Sequence, residues 1–362
     1  GSWGYQATGY FAISNRYGTI DDFKYFVNAC HKANIGVIMD FVPVHFATDV
    51  YGLHLFDGTP MYEYNNKELA YSEWGSANFD LGKEEVQSFL MSSAAYWIAE
   101  MHIDGLRMDA ISNVIYFQGN SEYGENKDAI LFIQRMNTLL SNTFKGVMLI
   151  AEDSTAYPNV TKSVDEGGLG FDYKWDLGWM NDTLKYFGRD PIYRRWHHNE
   201  ITFSMYYYYS EKFLLPFSHD EVVHEKGTII NKLWGSYEQR FAQLRMLYIY
   251  MYTHPGKKLN FMGNEIAMFR EFDEKRELDW SILKYPVHDA FHHFIKTLSE
   301  IYATYPAFYE QDYEYESFEW IDADNNDENL FSYMRKSKDM TFVIILNMSP
   351  LAYKGHVFGV NE

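Results

Sequence analysis

The sequence predicts an α/β fold, a (β/α)8 TIM barrel followed by the start of an all-β C-terminal domain. Three observations carry this. Short apolar runs alternate with segments of helical periodicity, the pattern of a parallel sheet with crossover helices. Most of the runs end in acidic or polar residues, and a (β/α)8 barrel places its site at that C-terminal rim. From about Tyr313 the alternation gives way to strands separated by Asp, Asn and Lys turns. The rival is a doubly wound sheet. It more naturally carries a Gly-rich phosphate turn, and the nearest stretch, Gly167-Gly168-Leu169-Gly170, is not followed by a helix start.

The elements follow in order. Residues 21–33 read as a helix with Thr19 or Asp21 as its cap and Phe23, Phe26, Val27 and Cys30 on one face. The apolar run 35–39 ends at Asp40. Residues 83–101 carry Val86, Phe89, Leu90, Ala94, Trp97 and Ile98 at helical spacing, and the run 103–108 then ends at Asp109. A helix over 129–144 leads to the run 147–151, which ends at Glu152 and Asp153. A weaker strand spans 170–175. The run 213–218 ends at His219 and Asp220, a helix covers 237–252, and the run 258–263 ends at Asn264 and Glu265. Such runs read as strands buried on both faces. Three more strands, 318–320, 330–335 and 341–346, form the β-rich end. The expected division is a barrel over 1–308 and a partial β-domain over 309–362.

Charge and composition narrow the function. With 31 basic and 50 acidic side chains the net charge is −19, which argues against nucleic acid or an anionic membrane as partner. The single cysteine, Cys30, allows neither an internal disulfide nor a Cys-based zinc site. No apolar run approaches the ~18 residues of a membrane span. The 31 Tyr and 9 Trp suit a polar ligand with flat apolar faces, such as a sugar, although composition alone favours plain drift. The chain starts at Gly1 with no signal peptide, Trp3-Gly4-Tyr5-Gln6 is already information-rich, and residues 357–360 read as a strand about to turn. It is therefore expected to be clipped at both ends.

Four acids stand at strand ends: Asp40, Asp109, Glu152 and Asp220. One such acid is ordinary, since Asp often caps a following helix. Four on one rim are costly unless they are paired or functional. Arg107 and Asp109 are two apart on one strand and face the same side, so the cation keeps Asp109 ionised, as a nucleophile requires. A structural ion pair is the bland alternative. Glu152 has Asp153 beside it, and desolvation with like charge suits a general acid/base. His45 and His219 lie near the acids and are placed to bind hydroxyl groups, although such histidines are more often scaffold. Metal readings fail. In His219-Asp220-Glu221-Val222-Val223-His224 the histidines are five apart and follow a strand, and no EF-hand spacing occurs. No Gly-x-Ser-x-Gly turn supports a serine nucleophile. Two working carboxylates and a third match retaining glycoside chemistry, whose nucleophile and acid/base stand ~5–5.5 Å apart. Tyr5 and Trp3, at the front of the chain, are candidates to stack on a sugar.

At these residues the chain resembles the α-amylase superfamily. Asp40-Phe41-Val42-Pro43-Val44-His45, Gly105-Leu106-Arg107-Met108-Asp109-Ala110, Ile150-Ala151-Glu152-Asp153-Ser154 and Phe217-Ser218-His219-Asp220 resemble its four motifs, in order. Finer stretches are similar to the glycogen branching enzymes within it: Gly4-Tyr5-Gln6-Ala7-Thr8-Gly9, Gly168-Leu169-Gly170-Phe171-Asp172-Tyr173-Lys174-Trp175, and Phe261-Met262-Gly263-Asn264-Glu265. The resemblance implies Asp109 as nucleophile, Glu152 as general acid/base and Asp220 as transition-state stabiliser. It implies that Arg107 orients Asp109, that Asp40, His45 and His219 bind sugar hydroxyls, and that Tyr5 stacks beneath the sugar. The implied reaction cleaves an α-1,4-glucan such as glycogen or amylose and transfers the fragment to a 6-hydroxyl, in the cytoplasm, with no cofactor and no metal. A hydrolase of the same superfamily or a non-catalytic glucan-binding barrel are the alternatives. Met108 and Phe41 stand where the family often has Val and Trp, and Val44 replaces a common Gly. Relative to the family, an N-terminal β-sandwich and the first barrel strands are expected to be missing, which leaves a sheet edge open.

Overall fold

A computed structural model of the chain describes residues 3–360, so Gly1, Ser2, Asn361 and Glu362 lie outside the described residues. The described residues form two compact units, which divide between Trp175 and Asp176.

In the first unit the elements run α1 (Ile20–Lys32), β1 (Ile38–Phe41), α2 (Glu84–Met101), β2 (Gly105–Met108), α3 (Lys127–Thr143), β3 (Met148–Ala151) and β4 (Tyr173–Trp175). These four strands pair side by side in that order and are parallel, as strand–helix alternation requires, while a short antiparallel pair, His45–Phe46 with Ala77–Asn78, stands apart from them. Register sets Asp40 opposite Arg107 and Met108 opposite Ala151. Thr19, not Asp21, caps α1: its hydroxyl accepts from the Asp22 N–H while the Asp22 carboxylate accepts from the Thr19 N–H, a closed capping box. Of the apolar stripe expected on α1, Val27 is buried but Phe26 is exposed. β1 also departs from a strand buried on both faces. Ile38 and Asp40 are exposed, because among the described residues β1 has a neighbour only on the β2 side. β1 begins later than the run 35–39 suggests, so Asp40 sits inside it.

The core of this unit is aromatic and aliphatic. Phe46 and Phe79 pack at a tilt with ring centres 4.5 Å apart, Tyr10 meets Phe79 edge-on at 5.4 Å, and Leu90, Ile111 and Phe132 are fully buried in the same cluster. Tyr10 hydrogen-bonds the carbonyls of Val42 and His45, so the ring fills the core while the hydroxyl ties down the segment after β1.

The second unit runs α4 (Leu177–Gly188), β5 (Phe213–Phe217), α5 (Tyr237–Thr253), β6 (Lys257–Asn260), α6 (Pro286–Thr304), β7 (Phe318–Asp322), β8 (Leu330–Lys336) and β9 (Thr341–Asn347). β5 and β6 are parallel, and β7, β8 and β9 form an antiparallel sheet with β8 in the middle. β6 stops short of the run 258–263, since Gly263 adopts φ 92° and opens a 3-10 turn over Asn264–Ile266. α4 and α6 are additional to the helices read from the sequence. The segment 357–360 holds no strand, and no β-strand pairs with it among the described residues.

Part of the aromatic surplus is structural. Tyr186, Tyr208, Tyr248, Tyr250 and Tyr333 are all buried in the second unit. Tyr248 donates to Asn260, Tyr250 to the Ile201 carbonyl, and Tyr333 shares a hydrogen bond with Thr253. Burial pushes these phenols up, so they remain neutral donors. β8 is locked to α5 by Arg335, buried with Asp312 at 2.6 Å and bonded to the Thr253 carbonyl. Among the described residues no helix is long and apolar enough to cross a membrane.

Gly105 is a steric requirement of the first sheet. A Cβ there would come within 2.7 Å of the Met148 carbonyl oxygen and 3.0 Å of the Met148 Cβ. Gly105→Ala is therefore expected to cost about 1–3 kcal/mol through overpacking. Urea unfolding of the whole protein checks this, and an unchanged midpoint would contradict it.

Candidate active site

The site of the first unit is built by strand register. The backbone ladder continues past the strands: Asp109 N–H donates to the Phe41 carbonyl and Glu152 N–H to the Met108 carbonyl, both at 3.0 Å. Asp109 and Glu152 thus follow β2 and β3 at the same level. Arg107 points to that rim from β2 and meets Asp40, Asp109 and Glu152. Its Nη1 donates to Asp109 at 2.8 Å, Asp40 at 3.3 Å and the Tyr5 hydroxyl at 3.2 Å, while Nη2 lies 3.7 Å from Glu152. Its guanidinium carbon sits 4.3 Å from the Trp175 ring centre and 5.6 Å from that of Tyr5. The Arg107 side chain is 4% exposed, against 17% for Asp109 and 19% for Glu152. A buried cation therefore backs carboxylates that stay open to a substrate.

Burial works against the charge on Arg107, but Asp40, Asp109, Tyr5 and Glu152 outweigh it and push the guanidinium above its ordinary value. Tyr5 is half-buried and donates to Asp40. Burial, then the charge of Asp40, pushes its phenol up against the opposing pull of Arg107, so it stays a donor. Glu152 accepts at 2.8 Å from the N–H of Ala110, whose left-handed backbone (φ 51°) turns that N–H toward it. Trp3 is half-buried.

His45 is buried, and burial pulls its imidazole down to about 4. It is neutral at pH 7 and lies against Trp74, ring centres 5.1 Å apart. The backbone carbonyl of Trp74 in turn accepts from Gln6, next to Tyr5.

His219 and Asp220 belong to the second unit, on a 3-10 turn directly after β5. His219 Nε2 lies 3.3 Å from Asp220 Oδ1 and its ring faces Phe261 at 5.9 Å. Lys226 holds the turn by donating to the Asp220 carbonyl at 2.8 Å, and Asp220 is half exposed. Among the described residues no group of three or more His, Cys, Asp and Glu side chains is placed to hold a metal ion.

The family model described as "Alpha amylase, catalytic domain" matches residues 2–74 and 53–338. The chain belongs to the alpha-amylase family. Curated relatives include the 1,4-alpha-glucan branching enzyme GlgB of Oceanobacillus iheyensis, 48% identical over 100% of this chain and 59% of its own length. GlgB 1 of Clostridium perfringens strain 13 is 49% identical over 100% of this chain and 56% of its own. GlgB of Bacillus caldolyticus is 49% identical over 99% and 54% respectively. The chain thus spans little more than half the length of these relatives. Among solved structures, an alpha-amylase from Geobacillus thermoleovorans superposes with TM-score 0.69 over 94% of this chain and 72% of its own, at 19% identity. A maltogenic alpha-amylase from Thermotoga neapolitana gives 0.67 over 95% and 72%, also at 19%. At that identity the likeness is one of fold.

Within this alpha-amylase unit, one electrostatic expectation needs correcting. Asp153 does not act on Glu152 as an unbalanced like charge. Its fully buried carboxylate pairs with Lys174 of β4 at 2.8 Å and also accepts from the N–H and hydroxyl of Thr155. Lys174 donates to the Thr155 carbonyl too, so the loop leaving Glu152 is stapled to β4. Lys174, Trp175, Trp74 and the Ala110 N–H escaped the sequence reading. A lysine inside an otherwise apolar strand was the available signal for the first.

The buried neutral His45 ties stability to pH. Between its unfolded value near 6.5 and its folded value near 4, the unfolded chain binds a proton that the folded chain does not. Its contribution is whole above about pH 6.5 and is lost as pH falls toward 4. The stability advantage of the unmodified protein over His45→Gln should shrink by at most about 3 kcal/mol across that window. A pH-independent difference in denaturant midpoints would overturn this.

Proposed function

We propose that the whole protein is a 1,4-alpha-glucan branching enzyme working by retaining double displacement. The observation that carries this reading is one buried guanidinium contacting both Asp109 and Glu152 at adjacent strand ends, in a chain nearly half identical to relatives bearing that name. Asp109, held ionised by Arg107, attacks the anomeric carbon of an α-1,4 linkage while Glu152 gives its proton to the departing O4. The glucan fragment is then an ester on Asp109. Glu152, now a carboxylate, takes the proton of an acceptor 6-hydroxyl as that oxygen attacks the anomeric carbon, which frees Asp109 and restores the acid. Two inversions give an α-1,6 linkage and conserve the number of reducing ends.

The remaining roles are those the family resemblance implies. Asp40, neutral His45 and His219 hydrogen-bond sugar hydroxyls, Tyr5 offers an aromatic face beneath the transferred sugar, and Asp220 stabilises the oxocarbenium-like transition state. The substrate is an α-1,4-glucan such as amylose or growing glycogen, and the protein acts in the cytoplasm. The catalytic barrel extends to about residue 308, with the β-domain starting beyond it.

Incubation of the whole protein with amylose, followed by NMR linkage analysis, tests the reading. New α-1,6 signals at a constant count of reducing ends are expected. Asp109→Asn should lower their formation by on the order of 10⁴-fold or more. A steady rise in reducing ends without α-1,6 signals would indicate hydrolysis instead, and branching by Asp109→Asn would remove Asp109 as nucleophile.

A further inference from the structure

We propose that Trp175 is a positioning residue of this reaction, acting through Arg107. The inference rests on the reading above that Asp109 and Glu152 carry the chemistry. β4 is registered with Ala151 opposite Lys174, which brings Trp175 level with Glu152 one strand further along the rim. The indole is 4% exposed and its centre lies 4.3 Å from the Arg107 guanidinium carbon. Neither the indole Nε1 nor the Arg107 Nε has a hydrogen-bond partner among the described residues. Trp175 is thus not held in place by its polar atom. What it offers to the site is its flat face.

That face meets a need the hydrogen bonds leave open. Nη1 of Arg107 is shared among Asp109, Asp40 and Tyr5, and Nη2 stands 3.7 Å from Glu152, beyond a direct hydrogen bond. These contacts draw the guanidinium toward several acids within its plane but do little to stop it tilting. The indole covers a face of the cation and limits the tilt, and it displaces water that would screen the cation from the acids. A tilt would lengthen the 2.8 Å bond to Asp109 and turn its carboxylate from the line of attack. Misplacement on the order of 1 Å at a reacting group can cost about 10²-fold in rate. The effect falls mainly on kcat, because Asp109 acts in the chemical step, while Tyr5 and Asp40 keep the hydrogen bond between them when Arg107 tilts.

The test compares Trp175→Met, apolar without an aromatic face, with Trp175→Phe, which keeps one, in the whole protein acting on amylose. Total cleavage is followed as transfer plus hydrolysis. The Met variant should lose roughly 10–100-fold in kcat with KM changed less than about threefold, and the Phe variant should stay within about threefold of the unmodified protein. Each substitution is repeated in an Arg107→Lys background. If Trp175 acts through Arg107, Trp175→Met adds little further loss there. Equal kcat in all three proteins, a change confined to KM, or fully additive losses with Arg107→Lys would each overturn the proposal. So would equal kcat losses in the Met and Phe variants, which would mark general destabilisation of the fold. An unmodified protein that turns over no α-1,4-glucan would overturn the functional reading itself, whereas normal turnover with an unaffected Met variant removes only the role of Trp175.

Discussion

Arg107 holds the first unit's rim together. Three carboxylates brought to adjacent strand ends by parallel register would repel one another, and one buried guanidinium contacts all of them. Much else in the unit serves that arrangement. Gly105 lets β2 lie close enough to β3 for Asp109 and Glu152 to reach the same level. Tyr10 ties down the segment after β1, and the aromatic faces of Tyr5 and Trp175 flank the cation. The arrangement asks for burial of the cation and accessibility of the acids together, and the exposures divide in that way.

Elements governed by local chemistry were legible in the sequence. Alternation of apolar runs with helical periodicity located β1 to β6 and the long helices α1, α2, α3 and α5, because both signals arise within a few residues. Boundaries slipped where the deciding partner is remote. The run 35–39 looks like a complete strand, yet pairing with β2 begins only at Ile38 and carries through Asp40 to Phe41. The run 258–263 is apolar enough to continue, but Gly263 turns the chain. The Tyr surplus was the least legible feature. Composition counts aromatic rings and is silent on where their hydroxyls find partners, and most of the large buried tyrosines belong to the core.

The site divides in the same manner. Arg107 with Asp109 was readable because a two-residue spacing on a strand forces both to one side. Glu152 with Asp153 misled, because adjacency in sequence says nothing of Lys174, which arrives from another strand and neutralises Asp153. The N–H of Ala110 depends on a left-handed backbone that an alanine does not advertise. Lys174 and Trp175 are neighbours in the chain that serve different parts of the rim, one the loop after Glu152 and the other the cation.

The most direct measurement of the central claim is the pH dependence of unfolding for Arg107→Met against the unmodified protein. Removing the buried cation costs less than breaking a fully buried ion pair, because water reaches the carboxylates left behind. Here it leaves three acids facing one another with no cation, a repulsion that protonation relieves. The stability deficit of the variant should therefore be largest near pH 7 and shrink steadily toward pH 4. A deficit that stays constant across that range would contradict the account, because Arg107 would then be a packing residue and not the charge on which the acids depend.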